Sequence, residues 1–217
     1  FFGIFCALTF VVALGFFQTP VSAEEAEVLS IEDMARKKLH HAPDGTYVNP
    51  WLKGEARSFW DLLKWQFASE NPYKEEKKTP VIFNVIKPDF AALEREGADY
   101  AVWLGHSTVL IKANGVHVIT DPIFGDVNFL LKRRTSFPVE PRELPKIDFV
   151  LISHSHYDHL NSDSIALLKD LFDPHFITGQ GYEEWFKDIG TKKQITLDWW
   201  DAHDAGGVKI TSLPLQH

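Results

Sequence analysis

Cysteine is almost missing from this chain. Its one cysteine, Cys6, sits in an apolar N-terminal run, and no thiol follows it. That excludes a disulfide framework and any thiolate metal site from the rest of the sequence, so a transition metal here must be held by imidazole and carboxylate. Positive charge is also short: 22 Lys and Arg face 30 Asp and Glu, a net −8. An acidic chain gains little from a phosphate backbone, and no nucleic-acid partner is expected. Internal repeats and low-complexity tracts are lacking too. What is present is an ordinary globular composition, 45% hydrophobic and 24% charged, with seventeen Phe and seven Trp to fill a core.

Phe1 to Phe17 carry no charge, and Val21-Ser22-Ala23 precede Glu24-Glu25. This pattern is that of the apolar core of a signal peptide with a small-residue cleavage site, with a membrane anchor as the alternative. An initiator Met and a basic leading region are expected ahead of Phe1. The protein is therefore expected to be exported, to a periplasmic or extracellular location, and to be membrane-associated if the segment is an anchor. Residues 24–98 are read as an N-terminal extension. Within it, 56–67 form an amphipathic helix with Phe59, Leu63 and Phe67 on one stripe. That stripe packs on the core or, in the sharper reading, meets a lipid-like substrate at a membrane surface.

From Tyr100 the pattern turns to strands. Strands are expected at 100–104, 108–112 and 116–120, the last two joined by Asn114-Gly115, a strong hairpin signal. The apolar run 147–153 predicts a buried strand. A helix capped within 161–163, a strand at 175–178, a helix at 182–189 and strands at 194–197 and 208–213 complete an alternating α/β order. The loop 124–142 contains the basic run Lys132-Arg133-Arg134, a solvated patch or an attractor for an anionic group.

The chemistry concentrates at His154-Ser155-His156-Tyr157-Asp158-His159, at the end of the 147–153 strand, where α/β folds place their sites. His154 and His156, two apart in extended chain, point the same way and can share one ion. Asp158 and His159, at the turn into the helix, can face a second. Asp121, after a strand and before Pro122, is either a turn residue or the acceptor that fixes a ligand histidine's tautomer. His106 lines the site or merely packs in its turn. His40, His41, His117, His175 and His203 lack ligand spacing.

His-Ser-His-Tyr-Asp-His matches the HxHxDH signature, and the chain resembles the metallo-β-lactamase superfamily. The words at 49–51, 63–66, 103–110, 120–124, 144–154, 197–200 and 213–217 look like the branch of N-acyl-phosphatidylethanolamine-hydrolysing phospholipase D, so the resemblance covers about Asn49 to His217. It implies an αββα sandwich over 99–217, of which this chain holds the N-terminal half. It also implies two zinc ions, the first on His154, His156 and His217, the second on Asp158 and His159. A bridging Asp and a last His are expected beyond His217, which implies that the chain alone is inactive. A hydroxide held between the ions would be the nucleophile, oriented by Asp158. The implied function is a phosphodiesterase of phospholipase D type acting on a small-molecule or lipid-like substrate. The alternatives are a lactonase or β-lactamase-type hydrolase, and a non-catalytic metal-binding fragment. Oligomeric state is not legible.

Overall fold

The computed structural model describes residues 33, 36–37, 39–50, 58–68, 70, 84–127 and 132–214. The chain divides into two units, one up to Pro80 and one from Val81 to Pro214. Among the described residues no helix is long and apolar enough to cross a membrane. The expected signal segment, 1–23, lies outside them.

In the first unit, His41 bridges Tyr47 across a turn at Pro43-Asp44-Gly45. The Asp44 carboxylate accepts from the Thr46 amide and hydroxyl at 3.0 and 2.7 Å. Helix α1 (Phe59–Ala68) starts in a reciprocal cap: Ser58 donates its amide to Asp61 at 2.9 Å, and the Asp61 amide donates to the Ser58 hydroxyl. Its Trp60, Trp65 and Phe67 are 75%, 64% and 81% exposed.

The second unit opens with α2 (Phe90–Glu96), which the sequence reading did not include. Asp89 caps it by accepting from the Ala92 amide at 2.9 Å, and Gly97 ends it in the left-handed conformation, φ 70°. Strands β1 (Tyr100–Gly105), β2 (Thr108–Ala113) and β3 (Val116–Thr120) pair antiparallel. Asn114 and Gly115 both have positive φ, 48° and 77°, the type I′ geometry whose twist suits a two-residue hairpin. β4 (Phe149–Leu151), β5 (His175–Thr178) and β6 (Gln194–Thr196) add in parallel to β3, giving the sheet order β1-β2-β3-β4-β5-β6. α3 (Ser162–Phe172) and α4 (Glu183–Ile189) make the crossovers. Asn161 caps α3 by accepting from the Ser164 amide at 2.9 Å.

The register puts Val102, Leu110, Ile119, Val150 and Phe176 in one row across the sheet. Ile165, Leu168 and Phe186 from the helices, with Phe90 and Leu104, close over that face as the core. Phe149, on the opposite face, meets His203 at 5.7 Å between ring centroids. His203 belongs to a hairpin of β7 (Ala202–Asp204) and β8 (Lys209–Thr211), of which only the second strand was expected. A helical layer, a six-stranded sheet and a further β layer thus follow one another, the α/β layering anticipated from sequence.

The topology fixes where a site can form. β1 runs antiparallel to β2, which runs antiparallel to β3, so β1, β3 and β4 all end at one edge of the sheet. The turns after them carry His106, Asp121 and the 153–159 segment.

Candidate metal centre

Asp121 is the hub of this edge. It is buried, holds φ 36°, and accepts through its carboxylate from the Ser153 amide at 2.7 Å, the Ser153 hydroxyl at 2.6 Å and His159 Nδ1 at 2.9 Å. Its main chain is fixed as well: its amide donates to Leu151 at 2.8 Å, and the buried Thr108 hydroxyl donates to its carbonyl at 2.8 Å.

These bonds assign protons. An ionised carboxylate only accepts, so His159 carries its hydrogen on Nδ1 and directs its Nε2 lone pair outward. Ser153 has spent its one hydroxyl hydrogen on Asp121, so toward His154 Nδ1, 2.9 Å away, it accepts. The His154 lone pair is therefore also on Nε2. That atom lies 2.9 Å from His156 Nδ1, which puts two imidazole nitrogens within reach of one ion once His156 Nδ1 yields its proton. The rings of His154 and His159 are 4.1 Å apart, those of His154 and His156 4.6 Å.

Asp158 stands between two histidines, with Oδ2 3.2 Å from His106 Nε2 and 3.7 Å from His159 Nε2. One ligand atom from each of His106, Asp158 and His159 falls within 4.8 Å of the others. The structure therefore brings together His154, His156, Asp158 and His159 with Asp121 and His106. His217 lies outside the described residues. The donors are imidazoles and a carboxylate, and the ring nitrogens facing Asp121 and Ser153 are protonated on the side away from the shared space. The set fits zinc, which prefers neutral imidazole and carboxylate when no thiolate is offered.

Two supporting residues, Ser153 and Tyr182, were not singled out from sequence, and a third, Arg133, was read only as part of a basic run. Ser153 gives no spacing signal; only its place between a strand end and the first histidine distinguishes it. Tyr182, at the start of α4, hydrogen-bonds Ser155, and burial pushes its phenol above the ordinary value. Arg133 sits within the basic run. Lys132 and Arg134 are exposed, but the Arg133 guanidinium turns inward, donating to Ile123 at 2.8 Å, Thr135 at 3.2 Å and Leu104 at 3.4 Å. Phe137 lies under it at 5.4 Å. It clamps backbone carbonyls. Of the histidines set aside, His117 is buried and satisfied by Glu94 at 2.9 Å.

The family model described as the beta-lactamase superfamily domain matches residues 101–217. The chain belongs to that superfamily. It is 32% identical over 179 residues to N-acyl-phosphatidylethanolamine-hydrolyzing phospholipase D 1 of Caenorhabditis elegans, an alignment covering 74% of this chain and 49% of that protein. It is 34% identical over 120 residues to the mitochondrial N-acyl-phosphatidylethanolamine-hydrolyzing phospholipase D of Saccharomyces cerevisiae, covering 51% and 25%. The chain thus spans about half the length, or less, of these curated relatives. Among solved structures, a metallo hydrolase from Ignicoccus hospitalis aligns with a TM-score of 0.43 and 21% identity over 54% of this chain and 48% of that one.

Proposed function

We propose that the full-length protein is a zinc-dependent hydrolase, and within that class a phosphodiesterase of phospholipase D type acting on N-acyl-phosphatidylethanolamine-like lipids. The observation that carries the hydrolase reading is the Asp121–Ser153 brace, which orients His154 and His159 with their Nε2 lone pairs toward one space. The finer reading draws on the two relatives named for this substrate. It also draws on the exposed Trp60, Trp65 and Phe67, aromatics suited to a membrane interface. Export past a signal segment at 1–23 would place such an enzyme beside a membrane.

His154, His156 and His217 would hold one ion, Asp158 and His159 the other. Bound zinc supplies a polarised phosphoryl oxygen and a water with a pKa near about 7. The chain's own part is orientation. Asp121 and Ser153 keep the imidazoles in the ligating tautomer, and Asp158 accepts a hydrogen bond from the attacking water. That water's oxygen bonds to phosphorus, the bond from phosphorus to the alcohol oxygen breaks, and the alcohol leaves with a proton.

The test is metal analysis of the full-length protein, followed by assay against an N-acylated phosphatidylethanolamine, bis-p-nitrophenyl phosphate, an acyl lactone and a β-lactam. About two zinc per chain and turnover of the two phosphodiesters are expected. Lactone or β-lactam turnover with no phosphodiester cleavage would replace the finer reading by a lactonase or β-lactamase-type activity.

A further inference from the structure

The strands β1, β3 and β4 bring three turns to the metal centre, and two of those turns are strained. His106 and Asp121 are non-glycine residues in left-handed backbone, φ 50° and 36°, a conformation that persists only where the surroundings enforce it. Asp121 uses its position to brace His159. His106 has the same kind of arrangement around Asp158. Its Nε2 is 3.2 Å from Asp158 Oδ2, and its ring is 5.2 Å from that of His159.

The turn is built to deliver that ring. The β1–β2 register shifts between Trp103 and Gly105, and Gly105 itself sits at φ 111°. The Trp103 indole donates to the His106 carbonyl at 2.8 Å. Arg133 reaches both strained turns, through the carbonyls of Leu104 and Ile123. A Cβ at Gly105 would lie 2.6 Å from Arg133 Nη2, so glycine is required for this approach.

We infer that His106 is a positioning residue for the second metal, its Nε2 pairing with Asp158 Oδ2 so that this carboxylate is held beside His159 Nε2 as a ligand. This rests on the two-metal reading of the site. The geometry also explains why the strain is kept. Glycine at position 106 would suit the backbone but would leave Asp158 unsteered.

Co²⁺ titration of the full-length protein, stripped of metal, tests this directly, with the visible spectrum and a chelator competition as readouts. Wild type is expected to take up two ions in separable steps. His106→Ala and His106→Gly should leave the first step unchanged and weaken the second by about 10–100-fold, the usual effect of losing a group that orients a ligand. His106→Gln, whose amide still donates, should recover most of that loss with a wild-type Co²⁺ spectrum. The metal-free His106→Gly protein should melt no lower than wild type, because glycine relieves the strained φ. Should His106→Ala fold poorly, Trp103→Phe keeps the imidazole and removes the indole donor, and should weaken the second step severalfold. An unchanged second step in His106→Gly and Trp103→Phe would overturn the inference. So would a His106→Gln spectrum showing a lost nitrogen donor, which would make His106 itself a ligand. A wild type that binds no second ion would instead remove the two-metal reading, and this inference with it.

Discussion

At the scale of single residues, the centre depends on a hydrogen-bond chain that begins at one carboxylate. Asp121 takes three donors, and each has a consequence for another residue: the Ser153 amide fixes the start of the histidine segment, the Ser153 hydroxyl sets the His154 tautomer, and His159 is set directly. Asp121→Asn keeps the shape but offers one accepting oxygen, so an amide NH₂ now faces either the Ser153 amide or both the Ser153 hydroxyl and His159 Nδ1. Metal affinity is expected to fall by about 10–100-fold. The fold is expected to lose roughly 1–3 kcal/mol where the partly buried donors go unpaired. Long-range ¹⁵N spectra of the metal-free protein check the cause. Wild type should show His159 protonated at Nδ1, and a His159 signal unchanged in Asp121→Ala, which removes both accepting oxygens, would refute the brace. The candidate ligands were legible as a cluster, because spacing along a strand end is a local property of His154 to His159. Asp121 and His106 were legible only as candidates, because their roles depend on strands meeting at one edge. Ser153 and Arg133 were not, since a serine beside a histidine and an arginine in a basic run look the same whether solvated or built in.

Between elements, helix α2 is pinned to the first hairpin by Glu94. Its carboxylate accepts from Tyr100 at 2.8 Å, from the buried Lys112 at 2.9 Å and from His117 Nε2 at 2.9 Å, three residues in one cross-strand row. The Lys112, His117 and Tyr100 donors pull the Glu94 pKa down from 4.5 to about 2. A carboxyl with a depressed folded-state pKa binds its proton more readily in the unfolded chain. Its stabilising contribution is therefore complete above about pH 4.5 and is lost as pH falls toward 2. Urea midpoints measured across that window should drop more steeply for wild type than for Glu94→Gln, and parallel curves would show that the cluster is not coupled to folding. The elements tied here were unequally visible in sequence. The β2–β3 hairpin declared itself through Asn114-Gly115, whose two positive φ values few other pairs tolerate. α2 is short, and its signals are only the caps Asp89 and Gly97. β7 carries Ala-His-Asp, with no alternation of apolar and polar residues; its pairing with β8 exists only once the two glycines at 206 and 207, at φ 73° and 90°, turn the chain back.

For the whole molecule, the consequence expected of this architecture is that metal binding is coupled to folding. The proposed ligands and their braces come from turns after β1, β3 and β4, segments that are distant in sequence and adjacent only when the sheet is formed. An unfolded chain keeps the local pair His154 and His156 but loses the Asp121 and Ser153 contacts that fix the tautomers, so it binds metal more weakly. A ligand selective for the native state stabilises it by RT ln(1 + [L]/Kd), about 2.7 kcal/mol at a hundredfold excess over Kd and about 4.1 at a thousandfold. For a domain of this size each kcal/mol moves the melting temperature by about 2–4 °C. Zinc is thus expected to raise the melting temperature of the full-length protein by about 5–15 °C over the chelated form, in a concentration-dependent way. His154→Ala and Asp158→Ala each leave one ion's ligands intact and should show a smaller rise, while the melting temperatures of their metal-free forms should stay close to that of metal-free wild type, since neither side chain is in the core. Scanning calorimetry with and without chelator measures all of these. A melting temperature indifferent to zinc in wild type would mean that the braced histidines do not form a native-state metal site. A rise retained in full by both variants would mean that the ion sits elsewhere in the molecule.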